Sequence, residues 1–455
     1  MHDPLSVADL VHDEIRQRRE SGYEVDPVLV PATPPEPGVL EELYRAVLGT
    51  RRSPGWPYRE PDAWEELTRE WPFTGDALAG AAWPSGGPDL ADRLYGGWLG
   101  RIAGCQLGKP IEDGEHWTPA RIRSYLERGG AYPLRDYLPV LEPIPAQYRL
   151  RECWPETTRG RIDGAARDDD IDYSILALML VERHGDRLRP EHLADALLDY
   201  LPYRRVFTAE RAAMVNLLHN VPVDSVGLVR NPYREWIGAL IRADVYGWTH
   251  PGRPAEAARL AYADAWLTHR ANGLYGSIWA AALVSAATAA DSVRAALDCS
   301  LGFVPARSRL AEALGAVVRL HDDGAGWEEA LAFIRTRYGH YSWVHTVNNA
   351  CLITAGLLWG EGDFAATAGL TVQGGWDTDS NGATAGSVAG TVLGASRLPD
   401  RFIAPLRDRT RRSLARTAYG SRPWPSAPGG RPSGWRPRRP DPEPVGVGES
   451  ALIQG

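Results

Sequence analysis

Glycine recurs at every fourth position in two places along this 455-residue chain, at 96, 100, 104 and 108 in YGGWLGRIAGCQLG and at 382, 386, 390 and 394 in SNGATAGSVAGTVLGA. On an α-helix that spacing sets all four glycines on one slowly drifting stripe. A glycine in a helix interior costs about 0.5–1 kcal/mol relative to alanine. Two fourfold stripes therefore require a compensating gain, and very close helix–helix approach supplies one. The ladders predict two buried central helices packed against each other. A membrane dimerisation motif shares the spacing, but these segments are too short and too polar at their flanks for that reading.

The rest of the chain predicts an all-α fold. DYSILALMLVERHG, PAEAARLAYADAWLTHR, SIWAAALVSAATAA, WEEALAFIRTRYG and NNACLITAGLLWG carry apolar or small residues at three- and four-residue intervals. Breakers such as HGDRLRP, HPGRP and GEGD separate them, and no alternating run predicts a strand. The expected organisation is an N-terminal extension over residues 1–88, a large orthogonal multi-helix domain over 89–418, and a tail over 419–455. In the extension, proline-rich patches alternate with short helical stretches, and Trp56, Tyr58, Trp64 and Trp71 predict packing onto the main body. The tail is rich in Pro, Gly and Arg, a composition that buries too little apolar surface to offset its conformational entropy.

A formal net charge of −8 argues against a constitutive nucleic-acid or anionic-membrane binder. No stretch reaches the roughly 18 apolar residues of a membrane span, and the charged N-terminus lacks a signal-peptide core. The four cysteines lie far apart, against a disulfide framework or structural zinc site. These features predict a cytoplasmic protein. Of the 50 basic residues only Lys109 is a lysine, which reads as codon bias in a GC-rich genome.

Carboxylates lie beside both ladders. The first continues into KPIED, placing Glu112 just beyond a helix C-terminus. The second follows GGWDTDSN, with Asp377, Asp379 and Ser380 in and after a glycine-rich turn. A third cluster, Asp168, Asp169 and Asp170, opens an apolar helix from about Ile171. Acidic residues cap helix N-termini, yet three in succession exceed what capping needs. A hard divalent cation relieves such a cluster through oxygen ligands. On the residues alone, a metal site and ordinary capping with surface acidity both stand.

GGWLGRIAGCQLGKPIE, DDDIDYSILAL, HTVNNA and GGWDTDSNGATAG occur in that order. Together they resemble the ADP-ribosylglycohydrolase family, which includes the dinitrogenase reductase-activating glycohydrolases and the ADP-ribosyl-acceptor hydrolases, over about residues 91–400. The resemblance implies an all-α enzyme holding two Mg²⁺ or Mn²⁺ ions, between which water is activated to cleave an N- or O-glycosidic bond of ADP-ribose. It carries the family's metal ligands onto Asp168, Asp169, Asp170, Asp377, Asp379 and Ser380. It makes Glu112, Asp169 and Asp379 the catalytic candidates, with Glu112 as acid/base. His269, Asn348, Asn349 and Trp376 are the substrate-binding candidates. His269 resembles a family position near the bound nucleotide, with a structural helix-end histidine as the alternative. Asn348 and Asn349 are expected either to contact ribose or to cap their helix. Trp376 is expected either to wall a ribose or base or to be one packing tryptophan among 17, and His345 reads as structural. Tyr132 and Tyr137 are expected either to close one side of the pocket or to pack in the core.

Four positions depart from the family pattern: Cys105 stands for an Asp, Asp168 for a Thr, Ile171 for a Thr, and Trp376 is extra. They look like features of a longer bacterial branch and leave the metal site credible with the substrate open. Two alternatives accompany an ADP-ribosylated protein or small-molecule substrate. One is a hydrolase of another nucleoside or NAD-derived metabolite in specialised metabolism. The other is a binder of ADP-ribose or nucleotide without turnover.

Overall fold

A computed structural model describes residues 7–26, 29, 37–73, 88–411 and 414; the expected tail over 419–455 lies outside them. Among the described residues twenty α-helices and short 3₁₀ turns are joined by loops, with isolated β-bridges and no sheet. The helices that position the site are α1 (Val7–Glu20), α2 (Pro37–Leu48), α3 (Pro88–Gly108), α4 (Asp169–His184), α5 (Asn272–Ala287), α6 (Thr346–Trp359) and α7 (Thr378–Leu393). The fold is all-α.

The two ladders pack on each other, running antiparallel. Gly104 of α3 faces Gly382 of α7 so closely that a methyl on either would run into the other's carbonyl oxygen. The same reciprocity holds for Gly100 with Gly386 and for Gly96 with Gly390, while Gly108 meets the carbonyl of Thr378. The stripe on α7 is thus one rung shorter than its spacing predicts. Gly394 lies past the helix end with φ +82°, a left-handed conformation that glycine adopts readily.

Small side chains elsewhere on α7 allow α5 and α6 to approach it as well, and every residue of α5 is buried. The alanine-rich run after Gly276 is therefore a central helix. Among the described residues no helix is long and apolar enough to cross a membrane.

The described part of the N-terminal extension is joined to the body by its own apolar and polar contacts. Val11 and Ile15 of α1 pack against Leu40, Tyr44 and Val47 of α2. Buried Glu235 accepts hydrogen bonds from Gln17 Nε2 and Ser21 Oγ, both at 2.7 Å. Arg309 pairs at once with Glu60 (2.9 Å) and Glu235 (2.5 Å). Trp64 packs on Tyr262 and Trp71 on Phe303.

Candidate metal centre

Antiparallel ladders bring the C-terminal end of α3 to the N-terminal end of α7. Thr378 Oγ1 donates to the Gly108 carbonyl at 2.9 Å, locking the two ends together. Beyond Gly108 the chain makes one 3₁₀ turn, Lys109–Ile111, and presents Glu112. On the other side Gly375 and Trp376 are both left-handed (φ +77° and +60°), which turns the chain so that Asp377 precedes α7 and Asp379 sits in its first turn. That conformation is uncommon for a bulky residue. Trp376 is held in it by burial and by the Arg335 guanidinium, 4.2 Å from its ring centroid.

The third acidic segment arrives with α4. Asp168 is its N-cap, accepting from Asp170 N–H at 2.9 Å, and Asp169 and Asp170 occupy the first turn, so the helix starts slightly earlier than its apolar run. Gln106 of α3 ties the preceding loop in place: its side-chain oxygen accepts from Ala166 N–H at 2.9 Å. Arg101, buried in α3, donates to the Asp170 carbonyl at 2.9 Å. It also pairs with the carboxylates of Asp170 (3.1 Å) and Asp244 (2.8 Å).

Two groups of potential ligand atoms result. One comprises Cys105, Asp168, Asp170 and Asp379; the other comprises Glu112, Asp377 and Asp379. Within each group one ligand atom per residue lies within 4.8 Å of every other, and Asp379 belongs to both. Ser380 joins them, its Oγ donating to Asp170 Oδ2 at 3.1 Å. Asp169 is half-buried beside these groups and part of neither.

The charges are poorly compensated. Burial, then the Asp379 charge, pushes the Glu112 carboxyl well above its ordinary range, and burial with Asp379 and Glu112 does the same to Asp377. Burial and Asp168 raise Asp169 to about 7 and also lift Asp170 and Asp379. Asp168 is the exception: burial opposes its ionisation, but the contacting Lys109 ammonium holds it below the usual value. Asp379 Oδ1 is buried without a hydrogen-bond partner. The second group, all oxygen, with the unpartnered Asp379 Oδ1 and mainly negative neighbours around Asp377, fits a hard divalent cation. The Cys105 thiol fits such an ion less well, since burial keeps it protonated.

The sequence model of the ADP-ribosylglycohydrolase family matches residues 86–427, which span all three acidic segments and both ladders. The chain belongs to the ADP-ribosylglycohydrolase family. A solved structure described as an ADP-ribosylglycohydrolase-related protein complex is 19% identical, with 70% of this chain and 93% of that chain covered and a TM-score of 0.39. No curated protein matches the chain.

In this ADP-ribosylglycohydrolase family member, the remaining candidate residues have other partners. Asn349 Oδ1 accepts from Asp377 N–H (3.3 Å) and from Asn381 Nδ2 (2.7 Å), so it braces the turn before α7. Asn348 Nδ2 donates to the Ser342 carbonyl at 3.0 Å. His345 caps α6, its Nδ1 accepting from Val347 N–H. His269 is fully buried, with Nδ1 2.7 Å from Thr268 Oγ1 and 3.7 Å from Glu210, in the network around Arg242. Tyr137 packs on Phe402 and donates to its carbonyl, while Tyr132 bonds Glu328 at the surface.

Sequence reasoning passed over Lys109, Arg101 and Arg151. Arg151 reaches Glu112 at 3.6 Å with its side chain about half exposed. The available signal for Lys109 was its being the only lysine in the chain.

Proposed function

We propose that this chain is a divalent-metal-dependent hydrolase that cleaves an N- or O-glycosidic bond of an ADP-ribose-type substrate in the cytoplasm. The observation that carries the reading is the shared carboxylate Asp379. It joins two ligand groups at the junction of the ladders, inside the segment matched by the family. Asp377, Asp379 and Glu112, together with Asp168, Asp170 and Ser380, would hold the Mg²⁺ or Mn²⁺. When bound, such a cation supplies Lewis acidity at the reacting oxygen and offsets the buried negative charge.

Glu112 is the acid/base. Its side chain is 22% exposed, against 4% for Asp379 and 2% for Asp170, so among these it is the one a substrate reaches. Burial and Asp379 raise its affinity for a proton, which suits its carboxylate to take one from the reacting water or hydroxyl beside the cation. Asp169, half-buried and raised to about 7, is the second proton-exchanging carboxyl beside the site. Asn349 and Trp376 act on substrate indirectly, by fixing the turn that carries Asp377. Asn348 and His269 are fully buried, held by the Ser342 carbonyl and by the Arg242 network, so they support the fold around the site rather than meet substrate.

A second reading, a binder without turnover, draws on Cys105 in the first ligand group and on Lys109 against its Asp168. One experiment separates the two. The full chain is incubated with Mg²⁺ or Mn²⁺ and a panel of ADP-ribosylated peptides, ADP-ribose esters and NAD. Release of ADP-ribose that a chelator abolishes and added metal restores is the expected result. Binding without release selects the second reading. Neither binding nor release would sink both and point to another nucleoside.

A further inference from the structure

The two ligand groups differ in how their charge is already answered. In the first, Asp170 is paired with Arg101 at 3.1 Å and accepts from Ser380. Asp168 is in contact with the Lys109 ammonium, which also stands 3.9 Å from Asp379 Oδ2. The fourth member, Cys105, is a fully buried thiol that brings no charge. Every carboxylate of this group thus faces a cation of the protein itself. In the second group the charges acting most strongly on Asp377 are Asp379, Glu112 and Asp170, all negative. Lys109 acts on Glu112 and Asp379 of this group too, and Arg151, with its side chain about half exposed, stands 3.6 Å from Glu112.

Lys109 is suited to this place by its chemistry. An ammonium is a compact point charge with three donors, whereas a guanidinium is a broad planar fork. The chain uses arginine for every other one of its 50 basic residues, so the genome's bias would have delivered arginine here too. Elsewhere the chain sets arginines between buried carboxylates, as with Arg101 between Asp170 and Asp244 and Arg309 between Glu60 and Glu235, so the single ammonium beside Asp168 departs from its own pattern. The lysine side chain is 13% exposed and rooted on the 3₁₀ turn that ends α3, which leaves it little freedom to move away.

We propose that Lys109 is a tethered cation that fills one of the two cation positions at the ladder junction. The chain then holds a single divalent ion tightly, at Glu112, Asp377 and Asp379. A second ion binds at Asp168, Asp170 and Asp379 only by displacing the ammonium. This rests on the metal-dependent reading above and replaces its expected pair of ions with one ion and one lysine.

The test counts ions rather than turnover. Full-length protein is dialysed against graded Mn²⁺, bound metal is measured by mass spectrometry, and the Mn²⁺ electron paramagnetic resonance spectrum is recorded. The wild type is expected to hold one Mn²⁺ per chain with the six-line spectrum of an isolated ion. Lys109→Gln is expected to hold two, with a spin-coupled spectrum and a second-site affinity raised at least about tenfold, since a like charge at contact distance has been removed. Lys109→Met, which keeps the stem and loses only the charge, serves as the second variant, and circular dichroism checks both for folding. Two ions of similar affinity in the wild type would overturn the proposal and leave the hydrolase reading standing. So would variants that still hold one. No bound Mn²⁺ in any of the three would remove the proposal and the metal-dependent reading together.

Discussion

Alanine at Gly104 tests whether the ladders are a contact or only a composition. In an ordinary helix interior Gly→Ala gains about 0.5–1 kcal/mol. Here the new methyl would run into the Gly382 carbonyl, a backbone obstacle that cannot rotate aside, so α3 and α7 must separate. Overpacking of a filled core costs about 1–3 kcal/mol, and this case belongs at the upper end because backbone meets backbone. Subtracting the propensity gain leaves a net loss of about 1–2 kcal/mol. The control is Gly315→Ala, in the helix Arg309–Asp322, where the nearest atom to a new methyl is the flexible Arg319 Nη1 at 3.2 Å. That variant should gain about 0.5–1 kcal/mol. Urea unfolding of the two variants should therefore move in opposite directions from the wild type. Gly104→Ala should also weaken Mn²⁺ binding, because α3 leads into Glu112 and α7 carries Asp379. A Gly104→Ala protein as stable as the wild type would refute the close-contact account.

Three further outcomes are expected. Glu112→Gln should largely abolish turnover and weaken Mn²⁺ binding, with binding through Asp377 and Asp379 still measurable by dialysis; near-wild-type rates would reassign the acid/base. Burial keeps the His345 imidazole neutral, lowering it from about 6.5 to about 3 despite Glu235 nearby. Its contribution to stability is therefore complete above the unfolded value and declines as pH falls through 6.5, by about 2 kcal/mol at pH 5. His345→Asn, which keeps a cap acceptor for Val347, should flatten the stability profile between pH 7 and 5. An equally steep profile would count against the neutral histidine. Burial raises Glu20 to about 7, so its contribution fades in the opposite direction, as pH rises, and cancels in the comparison with wild type. Arg309→Met strands Glu60 and Glu235 as buried carboxylates and should cost about 3–5 kcal/mol in urea unfolding. It should also expose the segment 37–73 to limited proteolysis; a loss under about 1 kcal/mol would show that the extension is held by its apolar contacts alone.

The ladders were legible because close backbone approach admits only glycine, and a four-residue spacing has one geometric meaning on a helix. The acidic segments were legible as helix starts for the same local reason, since capping and charge at an N-terminus leave marks on neighbouring residues. What pairs with them was not. Arg101 lies within α3 and reaches Asp170 and Asp244 across two helix contacts, and nothing in its own neighbourhood marks it out from the other arginines. Lys109 carried a signal, being the only lysine, but base composition explained it without reference to position. His269 and Asn349 show the converse. Both lie in motifs that attract attention, yet the structure engages one in the Arg242 network and the other in bracing Asp377.

The ladder register also bears on the chemistry. An α-helix rises about 1.5 Å per residue, so sliding α3 along α7 by one glycine rung moves it about 6 Å. That exceeds the 4.8 Å within which the ligand atoms of Glu112, Asp377 and Asp379 lie together. One rung of slip therefore dismantles the second ligand group while preserving a glycine-on-glycine contact over most of the seam. The seam itself does not forbid the slip, and Thr378 contributes about 1 kcal/mol against it. Its hydroxyl donates to Gly108 at the end of α3, where the facing residue is no longer a glycine. The same end-to-end arrangement separates the carboxyls by role. Asp168, Asp170, Asp377 and Asp379 sit at helix N-termini, whose dipoles offset part of the burial that disfavours their ionised, ligating form. Glu112 follows the C-terminus of α3, where the dipole disfavours negative charge. The dipole thus adds to burial and Asp379 in raising the proton affinity of Glu112, the carboxyl at the solvent side of the group.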